Sequence, residues 1–191
     1  MIASFSKRAV AALVLAAAPL CAGAEPKPSE PGAPSVTEGI VVIAGQRVVY
    51  RATAGLTPLM DDKLKVKANV FSIVYERLSD SEKDESGKAR TLASIDPSAR
   101  PVTFAFNGGP GSSSVWLHLG ALGPRRVRMG PEGEMPASAV LADNASSWLD
   151  FTDLVFIDPV STGYSRAAEG EDPKQFHGLD EDVRWVAEFI R

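Results

Sequence analysis

Apolar residues form one uninterrupted block at residues 9–20, and no later run is as long. That block falls well short of the roughly 20 residues a membrane span needs. Lys7 and Arg8 precede it, and the small residues Ala22, Gly23 and Ala24 follow. A short positive stretch, an apolar stretch and a small-residue cleavage site are the three parts of a secretory signal peptide. Residues 1–24 are therefore predicted to be a leader, with Glu25 as the mature N-terminus. Residues 25–35 hold Pro26, Pro28, Pro31 and Pro34 and predict an extended, solvated linker. Residues 36–191 are expected to form the folded part.

There the pattern moves between period two and period 3.6. Ile40, Val41, Val42 and Ile43, then Val48, Val49 and Tyr50, flank Ala44, Gly45 and Gln46. This predicts a hairpin with a glycine in its turn. Apolar Leu64, Val66, Ala68 and Val70 alternate with Lys65, Lys67 and Asn69, and the phase then shifts to Phe71, Ile73 and Tyr75. A strand does that only with a bulge or with burial on both faces. Asp80, Glu82, Lys83, Asp84 and Glu85 read as a solvated loop. Residues 102–106 predict a strand, and residues 107–114 a tight glycine turn. A short helix carrying Val115, Leu117 and Leu119 is expected next, capped by Ser112 or Ser113. Residues 125–147, rich in Gly, Pro and Ala, predict an irregular excursion. Residues 154–157 predict a buried strand, and 161–165 a loop. Val183, Val186, Ala187 and Ile190 make one apolar stripe of a helix beginning near Asp180. Antiparallel strands followed by strand–helix alternation predict an α/β sheet whose opening strands are antiparallel.

Composition narrows the chemistry. The chain has 24 Asp+Glu against 20 Lys+Arg, a net charge of −4, and no basic tract. Phosphate backbones need clustered positive charge, so nucleic acid is not the expected partner. One Cys excludes a disulfide framework and a Cys-built zinc cluster, and His118 and His177 stand far apart. No metal or cofactor is expected. An exported chain with so little cysteine fits a bacterial envelope protein, periplasmic or secreted, better than a small Cys-dense scaffold.

The strongest chemistry lies in Asn107, Gly108, Gly109, Pro110 and Gly111, at the C-terminal end of a predicted buried strand. Adjacent glycines turn the backbone sharply and leave their N–H groups unshielded. Ligands of open α/β sheets bind beyond the carboxyl ends of the strands. An N–H aimed there can stabilise an oxyanion during acyl transfer. A phosphate cradle does not fit, because the lysine of a P-loop and the spacing of a dinucleotide fingerprint are both missing. Spacing alone leaves open a glycine turn that merely permits packing.

The run from Asn107 through Ser112, Ser113 and Ser114, with Leu122, Gly123 and Pro124 beyond it, resembles the serine carboxypeptidase family, peptidase family S10. Asp158, Pro159, Val160, Ser161, Thr162, Gly163, Tyr164 and Ser165 resemble that family's second motif. The resemblance implies an α/β-hydrolase fold, here incomplete, that releases C-terminal residues from peptides through a Ser-Asp-His triad. It implies that the Gly109 N–H is an oxyanion donor, and that the Asn107 side chain and Gly108 backbone hold the substrate's terminal carboxylate. The expected partners are peptides with a free C-terminus.

The chain departs from the family's pattern at several positions. Ala105 replaces a Trp, Ser112 a Cys, Ala121 a Glu of the acid network that grips the carboxylate, and Ser161 a Gly. The second motif is one residue shorter between Asp158 and Pro159. No Gly-x-Ser-x-Gly elbow occurs. Gly163, Tyr164, Ser165, Arg166 and Ala167 come nearest, without the immediate strand–turn–helix an elbow needs. The triad is expected outside residues 1–191, so the chain by itself is expected to be inactive. Two alternatives stand beside this reading. One is another α/β-hydrolase, such as a prolyl aminopeptidase or esterase, which carries His where Asn107 stands. The other is a non-catalytic envelope protein that kept the sheet.

Overall fold

The computed structural model describes residues 32–79, 95, 99–107, 111–134 and 138–191. The predicted leader and most of the linker lie outside them, as do Gly108, Gly109 and Pro110 and the acidic run from Asp80.

A mixed sheet organises the chain. Its strands are β1 (Ser35–Ile43), β2 (Gln46–Met60), β3 (Val66–Arg77), β4 (Val102–Phe106), β7 (Asp153–Ile157) and β8 (Arg166–Ala167). The spatial order is β1-β2-β3-β7-β4, with β8 beside β3. β1, β2, β3 and β7 pair antiparallel in succession, whereas β4 runs parallel to β7. The opening strands are thus antiparallel and a parallel pair follows, as the pattern predicts. Among the described residues β4 is one edge of the sheet, opposite β1, and its Val102 and Phe106 are exposed.

The first hairpin forms where expected, but its turn is only Ala44–Gly45, both with positive φ, and Gln46 already belongs to β2. Two positive φ angles are what a two-residue turn needs to match the strands' twist. β2 runs on to Met60, beyond the apolar cluster at its start. In β3 the pairing skips at Lys67, since Leu59 pairs with Ala68 and Met60 with Val66. Ala68, Asn69 and Val70 are buried in succession. The phase shift read after Val70 therefore reflects a strand covered on both faces.

Two cores form on opposite sides of the sheet. Leu154 and Phe156 of β7 join Val41, Ile43, Val48, Tyr50, Tyr75, Ala105 and Leu149. Val155 and Ile157, one residue out of step, join Leu59, Ala68, Val70, Val160, Phe176 and Trp185. The two-residue period of β7 thus feeds both cores, which is why it reads as continuously apolar. Arg100 and Asp153 fix its start, with Nε to Oδ1 at 3.0 Å, and the same oxygen accepts the Arg77 N–H at 3.1 Å.

Helix α1 (Val115–Leu117) runs directly into a π-helical turn (His118–Leu122), which packs Leu117 and Leu122 on the first core. Asn144 Nδ2 donates to the carbonyls of Ala121 and Gly123, at 2.7 and 2.8 Å, and Ser147 Oγ to that of Leu122 at 2.8 Å. These side chains satisfy the helix-end carbonyls that would otherwise be orphaned. The excursion after it is not wholly irregular, because β5 (Arg125–Val127) and β6 (Leu141–Asp143) pair in a small second sheet.

Helix α2 (Leu179–Ile190) covers the second core, but with only one residue of the stripe that periodicity selects, Val186. Trp185 is its buried residue, supported by Val186 and Phe189, while Val183 and Ile190 are exposed. None of the helices among the described residues is long and apolar enough to cross a membrane.

Candidate active site

The site is built where β4 and β7, side by side and parallel, end together. Asn107 follows Phe106 directly, and its Nδ2 donates to Ser112 Oγ. The chain re-enters the described residues at Gly111, with φ +87. Glycine is favoured there because a side chain in that region meets its own backbone. Ser112 thus braces Asn107 from across the turn. The N-cap of α1 is Ser114, not Ser112 or Ser113, and its hydroxyl makes no cap. Instead Ser114 Oγ donates to the Ile157 carbonyl, and its N–H donates to Asp158 Oδ1 at 2.8 Å. The two sequence motifs therefore meet, because the second supplies the carboxylate that anchors the helix of the first.

The second motif folds into a compact loop. Ser165 is fully buried, accepts from the Phe71 N–H at 2.7 Å and donates to the Asp158 carbonyl at 2.6 Å. Those bonds make it a structural pin and remove it as a nucleophile. Ser161 sits at φ +73, a conformation L-residues avoid, where the family's pattern has glycine. Its Oγ bonds His177 Nε2 at 3.0 Å. Gly163 packs so tightly on Asp158 that a Cβ there would run into the carboxylate's Oδ2.

A cavity of about 780 Å3 lies beside Asn107. Phe106, Val160 and the exposed stripe of α2 supply its apolar wall, and Asn107, Ser161, Thr162 and His177 its polar rim. The stripe that periodicity selects is thus turned toward the site. Of the predicted site residues, the structure puts Asn107 on this rim, while Gly108 and Gly109 lie outside the described residues. Ala121 is exposed on the π-helical turn and does not line the cavity, and Ala105 is buried in the first core.

His118 is on the other side of the sheet. Its Nε2 meets Tyr75 Oη at 2.7 Å, and its ring lies 4.8 Å from that of Phe156. Burial pushes the imidazole down to about 4 and, with the nearby Tyr50, pushes the Tyr75 phenol up to about 12. Both are neutral at pH 7, so His118 is a packed core histidine. Among the described residues no group of His, Cys, Asp and Glu side chains could hold a metal ion. The Ser161–His177 pair and the pinning role of Asp158 escape sequence reasoning, because both depend on contacts between distant segments.

Known proteins of similar sequence are carboxypeptidases. The chain is similar to the pheromone-processing carboxypeptidase KEX1 of Puccinia graminis, 36% identical over 106 residues, which take in 52% of this chain and 14% of that protein. It is similar to pheromone-processing carboxypeptidase kex1 of Sclerotinia sclerotiorum, 43% identical over 86 residues, 44% of this chain and 12% of that protein. A carboxypeptidase Y homolog of Arthroderma benhamiae is 36% identical over 76 residues, 39% of this chain and 14% of that protein. The matched stretch therefore spans about one-seventh of each relative's length. Residues 89–189, which include both motifs and the helices that follow them, match the family model Peptidase_S10, serine carboxypeptidase. With both motifs matched and joined through Ser114 and Asp158, the chain belongs to the serine carboxypeptidase family.

Proposed function

We propose that this chain carries the substrate-gripping part of an exported serine-type carboxypeptidase with an α/β-hydrolase fold. The observation that supports this reading best is the placement of Asn107. Its amide stands at the carboxyl end of β4, on the rim of an apolar cavity, with one N–H committed to Ser112. An Asn amide has two N–H groups, so one is left for a ligand oxygen. The Asn107 amide and the Gly108 N–H would hold the peptide's terminal carboxylate, and the Gly109 N–H would face the oxyanion. The apolar wall of Phe106, Val160 and Val183 suits a hydrocarbon side chain. No cofactor enters this chemistry.

The nucleophile and its Asp and His partners would come from polypeptide outside these 191 residues. Ser114 and Ser165 are buried with their hydroxyls donating to backbone carbonyls, and Ser112 braces Asn107. The leader at residues 1–24 would deliver the protein to the periplasm or the exterior.

The test is hydrolysis by the protein that includes the triad. Asn107→Ala should lower kcat/KM about 10- to 100-fold on peptides with a free C-terminus, the value of a hydrogen bond to a charged group. It should spare esters whose terminus is blocked, and equal loss on both would refute the carboxylate role. Gly109→Pro deletes the donor and should cost about 10²–10³ in kcat on both substrates.

A further inference from the structure

A second cavity, of about 460 Å3, shares no lining residue with the one beside Asn107. Phe71, Ile73, Leu119, Phe156 and Tyr164 form its walls, and among the described residues Asp158 is its only acidic one. Asp158 is 8% exposed. Its Oδ1 accepts the Ser114 N–H at 2.8 Å, while its Oδ2 packs against Gly163, where a Cβ would collide with it. Among the described residues no cation stands within ion-pair distance of this carboxylate. The nearby Arg166 guanidinium donates instead to the carbonyls of Gly163 and Ser165, at 2.9 and 2.8 Å. His118, also on the wall, is held neutral by burial.

A carboxylate removed from water attracts a positive partner strongly. Ring faces add to that attraction. Phe71 and Tyr164 stand edge to face, 5.1 Å between centroids, and Tyr164 is 71% exposed, so its ring forms the outer wall. We propose that this cavity is a binding site for a small organic cation, a primary ammonium or guanidinium on an apolar stem. The charge sits against Asp158 Oδ2 and the stem between Ile73 and the rings of Phe71 and Tyr164. The site uses none of the groups assigned to peptide hydrolysis, so it stands or falls separately from that reading.

Ligand-observed NMR titration of the full chain tests it, with 2-phenylethylammonium and n-butylguanidinium as probes and 2-phenylethanol as the neutral analogue. Both cations should bind saturably, at least about tenfold tighter than the alcohol. Asp158→Asn should erase that difference. Tyr164→Ala, at an exposed position, should weaken cation binding several-fold through the lost ring face. Equal affinity for cation and alcohol, or no saturable cation binding, overturns the proposal. So does a folded Asp158→Asn protein that binds cations as the parent does. Asp158 also holds the helix α1 amide, and if its variant does not fold, the cation–alcohol comparison in the parent and the Tyr164→Ala titration decide the matter.

Discussion

Acid should loosen this protein as the pH falls from 6.5 toward 4, and His118 is one reason. The imidazole is 8% exposed, packed against Phe156 and bonded to Tyr75 Oη. Burial lowers its pKa from 6.5 to about 4 in the folded state. Between those values the unfolded chain binds the proton and the folded chain does not, so stability rises with pH across that window. The contribution is fully present above pH 6.5 and is lost as the pH falls toward 4. Each tenfold in the protonation equilibrium is worth about 1.4 kcal/mol, which makes the whole gap about 3 kcal/mol. About 2 kcal/mol of it is gone by about pH 5. Domains of this kind are stable by roughly 5–15 kcal/mol, so the loss is large. Urea unfolding followed by tryptophan fluorescence at stepped pH measures it directly. His118→Gln is the control, because an amide keeps a polar partner for the Tyr75 hydroxyl and cannot titrate. The parent should lose about 2 kcal/mol more than the variant between pH 7 and about pH 5. Parallel stability curves for the two proteins would refute the reasoning.

Two other outcomes are expected. Glu171 receives Lys65 Nζ at 2.7 Å and also pairs with Lys67 and Gln175, and these bonds, Lys65 first, hold its pKa at about 2 instead of 4.5. Its stabilisation is present above pH 4.5 and disappears as the pH falls toward 2, so Glu171→Gln should flatten that part of a melting-temperature profile. Trp185 is buried against Phe176, 5.1 Å between ring centroids, and Trp185→Ala should cost about 3–5 kcal/mol in urea unfolding. A loss below about 1 kcal/mol would mean that α2 is not docked as described.

Much of the architecture is legible in the sequence because the relevant forces are local. Short unbroken apolar runs mark the Ile40–Ile43 and Leu154–Ile157 segments, glycine marks the turn at Gly45, and the glycine run marks the end of β4. What escapes is set by distant partners. The far half of β2, around Leu56–Met60, carries Pro58 and reads as no strand, yet β3 lies alongside and supplies its pairing. β5 and β6 are three residues each, too short for any period to register. On α2, periodicity correctly finds an apolar stripe but cannot say that Trp185, on the adjoining face, is the residue the core takes. At the site, Asn107 is legible from its neighbours. The anchoring of Ser114 by Asp158 spans 44 positions and is visible only once β4 and β7 lie side by side.

β7 has a consequence for biosynthesis. It is the strand inserted between β3 and β4, yet it is made after both of them. When β4 leaves the ribosome its partner β7 does not yet exist, and the flank of β3 that β7 will fill is still open. At the 5–20 residues per second typical of translation, the roughly fifty residues from β4 to β7 hold that half-assembled state open for seconds. Pairing parallel strands so far apart in sequence is itself among the slower steps of folding. Rare codons or a stall between Gly111 and Thr152 would lengthen that exposure, and this stretch is where a holding chaperone would have most to protect.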